Sequence, residues 1–349
     1  MQQIKNILCF MDSNFYTTFV YKVNMKEDMN NGVKNIITKL LPVCALLSLM
    51  LNANTACSSE QAGKKQSAAI AADTVTTLVL PAIPAMLSTP ELRADYLARH
   101  YWDNVDFADT NYIHHPKVTE QGWVDFIDIL RLVSAGTADA ALKQLFLRAE
   151  KEKKCYTYLT SLAEKYLYDP NSPMRNEEFY ISVLDAMLKS PVMDDTEKIR
   201  PKARRELAQK NRAGTKALDF TYTLANGKQG NLHGIKAPYT LLFINNPGCH
   251  ACGEAIEALK RSPATAQAIA RKRVKVLSLY PDADLAEWRK HLSDFPDEWI
   301  NGYDKKRTIE QKNLYDLKAI PTLYLLDEDK TVLLKDVTAQ EIEEYLQNI

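Results

Sequence analysis

The rhythm of hydrophobic positions changes twice along the chain. Residues 40–51 form one unbroken run, LLPVCALLSLML. It is too short for a bilayer core of about 30 Å but fits the apolar region of a secretory signal. From about 78 to 213 the apolar positions recur every three or four residues, the spacing of one helix face. Trp123, Phe126, Ile127, Leu130 and Val133 follow Thr119-Glu120, while Leu142, Leu145, Phe146 and Ala149 follow Thr137. Phe179, Val183, Ala186 and Met187 mark a further face after Pro170 and Pro173 break the chain. Ser88-Thr89-Pro90-Glu91 supplies a hydroxyl cap, a first-turn proline and an acid at the positive helix end. Alternating Val-Ile runs are scarce here, so about six helices and little sheet are predicted.

From Ala217 the pattern turns to short apolar runs. Leu218 to Leu224 alternates, and Asn226-Gly227 is a hairpin turn. YTLLFI (239–244), VKVLSLY (274–280) and TLYLL (322–326) suit strands buried on both faces. Helical stretches at 249–261, 262–272, 283–292 and 306–315 separate them, and a strand at 331–334 and a helix at 338–347 close the unit. Strands alternating with helices predict an α/β sheet with crossover connections. The expected organisation is an upstream segment and signal over 1–57, a flexible tether over 58–77, an all-α domain over 78–213 and an α/β domain over 214–349.

Charge narrows the partners. The 44 Lys+Arg and 44 Asp+Glu cancel over the 349 residues, and the net is +2 for 1–56, 0 for 57–216 and −2 for 217–349. No segment carries the basic excess that a phosphate backbone demands, so nucleic acid is not an expected partner. Eleven Gly and 15 Pro are too few for a fibrous or low-complexity chain, and no internal repeat is visible. The six Cys do not form a dense disulfide framework, since two lie at or before the signal-like run and two stand three apart.

The amino-terminal pattern is an address. Lys34 and Lys39 flank the apolar run on its amino side, and Ala56-Cys57-Ser58-Ser59 follows it. A small residue before Cys57 resembles a bacterial lipoprotein signal, in which that Cys is lipidated and becomes the mature N-terminus. Asn54 stands where an aliphatic residue is usual. A plain secretory signal cleaved nearby, or a retained anchor, are the alternatives. Met25 or Met29 would place the start in a more ordinary position before this run. The expected location is the cell envelope, lipid-anchored and facing the periplasm or the cell surface, where disulfides persist.

The helical segment offers no constellation that names a reaction. His114-His115 are adjacent and lack the i, i+4 spacing of a helical metal pair, so they read as surface residues. Tyr101-Trp102-Asp103, Asp106-Phe107 and Asp109 mix aromatics with acids, which suits packing at a helix end better than a ligand groove. Cys155, amid Tyr156, Tyr158 and Leu159, reads as a buried small hydrophobe.

The informative motif is Cys249-His250-Ala251-Cys252, directly after a strand and opening a helix. A two-residue spacer lets both sulfurs meet across one turn. The first then lies at the helix N-terminus, where unpaired N–H groups and the dipole favour a thiolate. A zinc knuckle would need two more ligands, and no second CxxC exists. A strand–CxxC–helix context instead favours redox chemistry.

In these residues the chain resembles the thioredoxin superfamily, specifically the TlpA-like thiol–disulfide oxidoreductases exported by bacteria, over about 214–349. A second matching element is Ala319-Ile320-Pro321-Thr322, before a strand. The resemblance implies a thioredoxin-like fold, a cis Pro321 facing the dithiol, and an Ile320 backbone that pairs with substrate. Cys249 is implied as nucleophile and Cys252 as resolving thiol, with protein thiols or disulfides as substrates and a redox partner protein. No cofactor beyond the redox-active Cys249–Cys252 pair and no metal are implied. The 72 positions from Cys249 to Pro321 match the inserted strand–helix unit of TlpA-like proteins, as do Trp288-Arg289 and the Asp304 region. The helical segment is similar to an uncharacterised domain that precedes such domains in lipoproteins of Bacteroidetes-type bacteria.

Two positions depart from the family. Gly248 stands where many relatives have Trp, and Phe243 stands where thioredoxin has a buried Asp for proton transfer. His250 or Glu254 would be the replacement that tunes the site. Two other readings compete: a thioredoxin-fold binding lipoprotein with an incidental dithiol, and a soft-metal carrier using Cys249, Cys252 and His250.

Overall fold

Residues 78–349 are described by a computed structural model; Cys57 and the signal-like run lie outside the described residues. The chain divides into two compact units, Met1–Ala138 and Asp139–Ile349. The helices after Ala138 therefore belong to the same unit as the sheet.

In the first unit, helix α1 (Pro90–His100) is capped by Thr89, whose Oγ1 accepts the Leu92 N–H at 3.3 Å. Helix α2 (Pro116–Leu130) starts before Thr119-Glu120, because a proline fits a first turn that needs no donor. His114 and His115 end a short 3-10 turn and precede that helix. Tyr101, Trp102 and Phe107 are buried, with the Trp102 ring 5.8 Å from Phe126 and 6.2 Å from Phe107. The aromatic and acidic stretch thus packs a core.

Helix α3 (Ala135–Ala149) begins just before the boundary, and its first turn is capped by Ser134 rather than Thr137; the Ser134 Oγ accepts the Thr137 N–H at 3.1 Å. In the second unit, helix α4 (Lys153–Ala163) buries Cys155 as expected and runs into a π turn, Glu164–Tyr168. Helix α5 (Glu177–Lys189) is capped by Asn176, and α6 (Asp195–Ala208) by a reciprocal Asp194–Glu197 box.

The strands are β1 (Thr221–Leu224), β2 (Gln229–Asn231), β3 (Tyr239–Ile244), β4 (Val274–Tyr280), β5 (Ile300–Tyr303), β6 (Thr322–Leu326) and β7 (Val332–Val337). They form one sheet in the order β2-β1-β5-β4-β3-β6-β7. Central β3 runs parallel to β4 and antiparallel to β6. Because side chains alternate along a strand, Leu242 and Ile244 join one core, with Leu277, Leu279 and Tyr324. Leu241 and Phe243 join the other, with Val276, Leu323 and Leu325. Helices α7 (His250–Arg261), α8 (Pro263–Ala270) and α11 (Ala339–Gln347) cover this second face, α7 through Cys252, Ile256 and Leu259.

Strand β5 adds to the expected set. Asn301-Gly302 interrupts its apolar pattern, and the structure supplies the reason for the glycine: a Cβ at Gly302 would lie 2.9 Å from the Tyr222 ring of neighbouring β1. Two connecting helices are shorter than their patterns suggest, α9 (Leu285–Lys290) and α10 (Thr308–Gln311). Asp304 ends the run before α10 by accepting the Ile309 N–H at 2.7 Å.

β7 is an edge strand, and the chain covers it. The Gly214 N–H donates to Val332 O and the Val332 N–H to Thr215 O, both at 2.8 Å. Lys335 Nζ donates to Lys210 O at 2.7 Å and to Ala208 O at 3.1 Å, and pairs with Glu177. The chain leading from the helical segment into the sheet thereby occupies the backbone groups of Val332 that an open edge would offer to another strand. Among the described residues no helix is long and apolar enough to cross a membrane.

Candidate functional site

Strand β3 delivers the chain to the site. Just past its end, buried Asn245 donates its side-chain amide to Ser278 Oγ at 2.8 Å and to Phe243 O at 3.1 Å, tying the ends of β3 and β4 together. The chain then reverses through Gly248, whose φ of +67° is the left-handed conformation that favours glycine. Cys249 follows as the N-cap of α7.

Cys249 takes the place of the usual capping oxygen. The Cys252 N–H donates to Cys249 Sγ at 3.3 Å, so the sulfur sits at the positive end of the helix. On its other side the Cys249 S–H reaches the Ile320 carbonyl at 3.9 Å. Cys249 is partly exposed and Cys252 is 2% exposed; both are thiols in this structure. Cys252 shares its core with Phe243, Ile256 and Leu259. Burial pushes the Cys252 thiol up to about 12, and its hydrogen bond with Cys249 adds to the rise while the Asn246 backbone opposes it. The two sulfurs are therefore unlike: one at a helix end within reach of solvent, one buried and protonated.

The Ile320–Pro321 peptide bond is cis, as the resemblance implied, and Thr322 opens β6 opposite Ile244 at the end of β3. Ile320 and Pro321 are thus brought to the dithiol. His250 and Glu254 line the cavity that holds the dithiol, on its exposed side. The His250 side chain is 88% exposed and its Nδ1 lies 3.6 Å from Glu254 Oε2, an i, i+4 pair on the outer face of α7. Among the described residues no group of three His, Cys, Asp or Glu side chains could hold a metal ion.

Sequence reasoning missed one group beside the dithiol. His291 Nε2 lies 2.9 Å from Glu287 Oε1 and His291 Nδ1 lies 2.7 Å from Asp294 Oδ2. His291 and Asp294 line the same cavity of about 790 Å³ as Cys249 and Cys252. The Asp294 hydrogen bond, with help from Glu287 and against desolvation, holds the imidazole above its ordinary range. A carboxylate four residues before and another three after one histidine was the signal available.

Two family models match the chain. Residues 56–211 match a domain of unknown function (DUF5106), and residues 238–332 match a thioredoxin-like family. No curated protein matches it. Among solved structures, a thioredoxin-like protein from Bacteroides caccae is 64% identical over 79% of this chain and 99% of its own, with a TM-score of 0.77. The chain belongs to the thioredoxin-like family.

The C-terminal domain of an uncharacterized protein from Bacteroides fragilis is also 64% identical, over 39% of this chain and 98% of its own, with a TM-score of 0.39. A domain of a possible thiol-disulfide isomerase from Cytophaga hutchinsonii is 25% identical over 40% of this chain and 94% of its own, with a TM-score of 0.36. Within the thioredoxin-like domain, Phe243 packs in the same core as Cys252, with its ring centroid 6.2 Å from that of Trp299.

Proposed function

We propose that this protein is an exported thiol–disulfide oxidoreductase acting on protein disulfides through Cys249 and Cys252. The observation that carries the reading is the asymmetry of the pair: Cys249 Sγ accepts the Cys252 N–H at the helix end, while the Cys252 thiol is buried. Such an arrangement separates attack from resolution.

In the reducing direction, the Cys249 thiolate attacks one sulfur of a substrate disulfide. A Cys249–substrate bond forms, the substrate S–S bond breaks, and the departing thiolate takes up a proton. Cys252 then loses its proton and attacks the Cys249 sulfur. The second substrate thiol leaves, two electrons have passed to the substrate, and a Cys249–Cys252 disulfide remains. A redox partner protein restores the dithiol by the same exchange. Ile320 offers its backbone to the substrate chain beside the sulfur, since Pro321 has no N–H to compete.

The location follows from Cys57. Lipidation there would tether residues 78–349 to a membrane of the cell envelope by the 58–77 segment, and acylation by more than one chain gives stable anchoring. The function is tested by turnover of a protein disulfide such as insulin, with dithiothreitol supplied as the reductant that regenerates the dithiol. Wild-type protein should reduce it, and Cys249→Ser should abolish the activity. Equal turnover by the variant would leave the dithiol incidental to a binding protein.

A further inference from the structure

The helical segment touches the Ile320–Pro321 loop through one carboxylate. Asp336 sits at a register shift of β7 against β6, with φ +53°, a conformation that disfavours a side chain. Its two oxygens bracket the loop. Thr322 Oγ1 donates to Asp336 Oδ1 at 2.8 Å, and Lys318 Nζ lies 3.7 Å from Asp336 Oδ2. Residues 319–321 are therefore held between two neighbours of the same carboxylate.

Arg175, from the loop before α5, fixes that carboxylate in turn. Its Nη1 lies 3.2 Å from Asp336 Oδ2 and its Nη2 donates to the Asp336 carbonyl at 2.6 Å. One planar guanidinium thus holds both the side chain and the backbone of the irregular residue, which a point charge could not do. Tyr168, from the same part of the helical segment, lies under Lys318, 5.1 Å from Nζ to ring centroid. Lys318 keeps its charge despite burial, because Asp316 at 2.6 Å and Asp336 hold it above its ordinary range. Asn171 and Arg175 also line a groove of about 700 Å³ together with Glu254, Ile320 and Pro321.

We propose that the helical segment is part of the dithiol site: Arg175 is a positioning residue that, through Asp336, sets the Ile320–Pro321 loop for an extended polypeptide substrate. The inference rests on the oxidoreductase reading for its substrate, but the positioning itself does not. Arg175 itself reaches no sulfur, so its loss acts through the loop, first on capture of the chain.

The test uses the full chain with Arg175→Gln, and Arg175→Lys should the first variant not fold. Amide hydrogen exchange should rise at 320–323 and 336–337 and stay unchanged in β3 and β4. Turnover of a protein disulfide should lose about tenfold in kcat/KM, mostly in KM, as expected for a misplaced positioning element. Unchanged exchange at 320–323, or a rise spread evenly over the sheet, overturns the proposal. If wild-type protein turns over no disulfide, the functional reading fails, and the exchange comparison still decides whether Arg175 sets the loop.

Discussion

Cys252 gives its backbone N–H to Cys249 Sγ at 3.3 Å while its own thiol is sealed into the core with Phe243 and Ile256. The same residue therefore stabilises negative charge on its partner and avoids carrying it. Alkylation of the reduced protein should modify Cys249 first at every pH. In a Cys249→Ser variant, labelling of Cys252 should stay slow through about pH 10 and rise only toward about 12, less whatever the lost Cys249 hydrogen bond contributes. Faster labelling of Cys252 than of Cys249 in the wild type would reverse the assignment.

A second consequence concerns resolution. With Cys252→Ser the mixed disulfide has no internal thiol to release it, so reduced variant exposed to a substrate disulfide should accumulate a covalent adduct on Cys249. Peptide mapping by mass spectrometry reads the site. An adduct at Cys155, or none, would count against the order of steps.

Glycine is needed at one turn and spare in the next helix. Gly248 has φ +67°, and a Cβ there would meet His291 Nε2 only at 3.7 Å, so the penalty is conformational and not a clash. Gly248→Ala should cost roughly 1 kcal/mol. Gly253 lies inside α7 with nothing within 4 Å of an added Cβ, so Gly253→Ala should stabilise by about 0.8 kcal/mol. Thermal unfolding should move a few degrees in opposite directions, about 2–4 °C per kcal/mol for a unit of this size. Shifts of the same sign would refute the local account.

His291 gives the site a pH dependence. Its carboxylate partners raise the folded-state pKa above the ordinary 6.5. Proton binding is thus tighter in the folded state, and the stabilisation is fully present below about 6.5. It is lost as pH rises through the elevated folded value. An NMR titration of the ring should show a midpoint above about 6.5, lowered by Asp294→Asn and, less, by Glu287→Gln. A midpoint at or below that ordinary value in the wild type would mean the carboxylates do not hold the charge.

Much of this was legible in the sequence. The runs 239–244, 274–280 and 322–326 are strands at those bounds, because residues buried on both faces leave unbroken apolar runs. The Cys249 helix and the cis bond at Pro321 were carried by the CxxC spacing and by family resemblance. What escaped depended on partners distant in sequence. Gly302 reads as a break until Tyr222 is seen against it. Arg175 and Asp336 stand 161 positions apart and share no local pattern. His291 has its two flanking carboxylates in local sequence, but its closeness to the dithiol comes from the fold of the inserted unit.

The lipoprotein reading has its own check. Cys57→Ser should prevent lipidation and release exported protein from the membrane fraction, with the mature wild-type N-terminus mapping to Cys57. A soluble wild-type protein, or a mature terminus elsewhere, would replace anchoring with plain secretion.

The central claim is that Cys249 and Cys252 form a working redox couple, and its most direct test is an equilibrium redox titration of the mature protein, read by thiol alkylation. A single two-electron transition between about −120 and −270 mV, lost in both Cys249→Ser and Cys252→Ser, is expected for an exchanging pair. A pair that never oxidises, or that stays oxidised below about −300 mV as structural disulfides do, would contradict it.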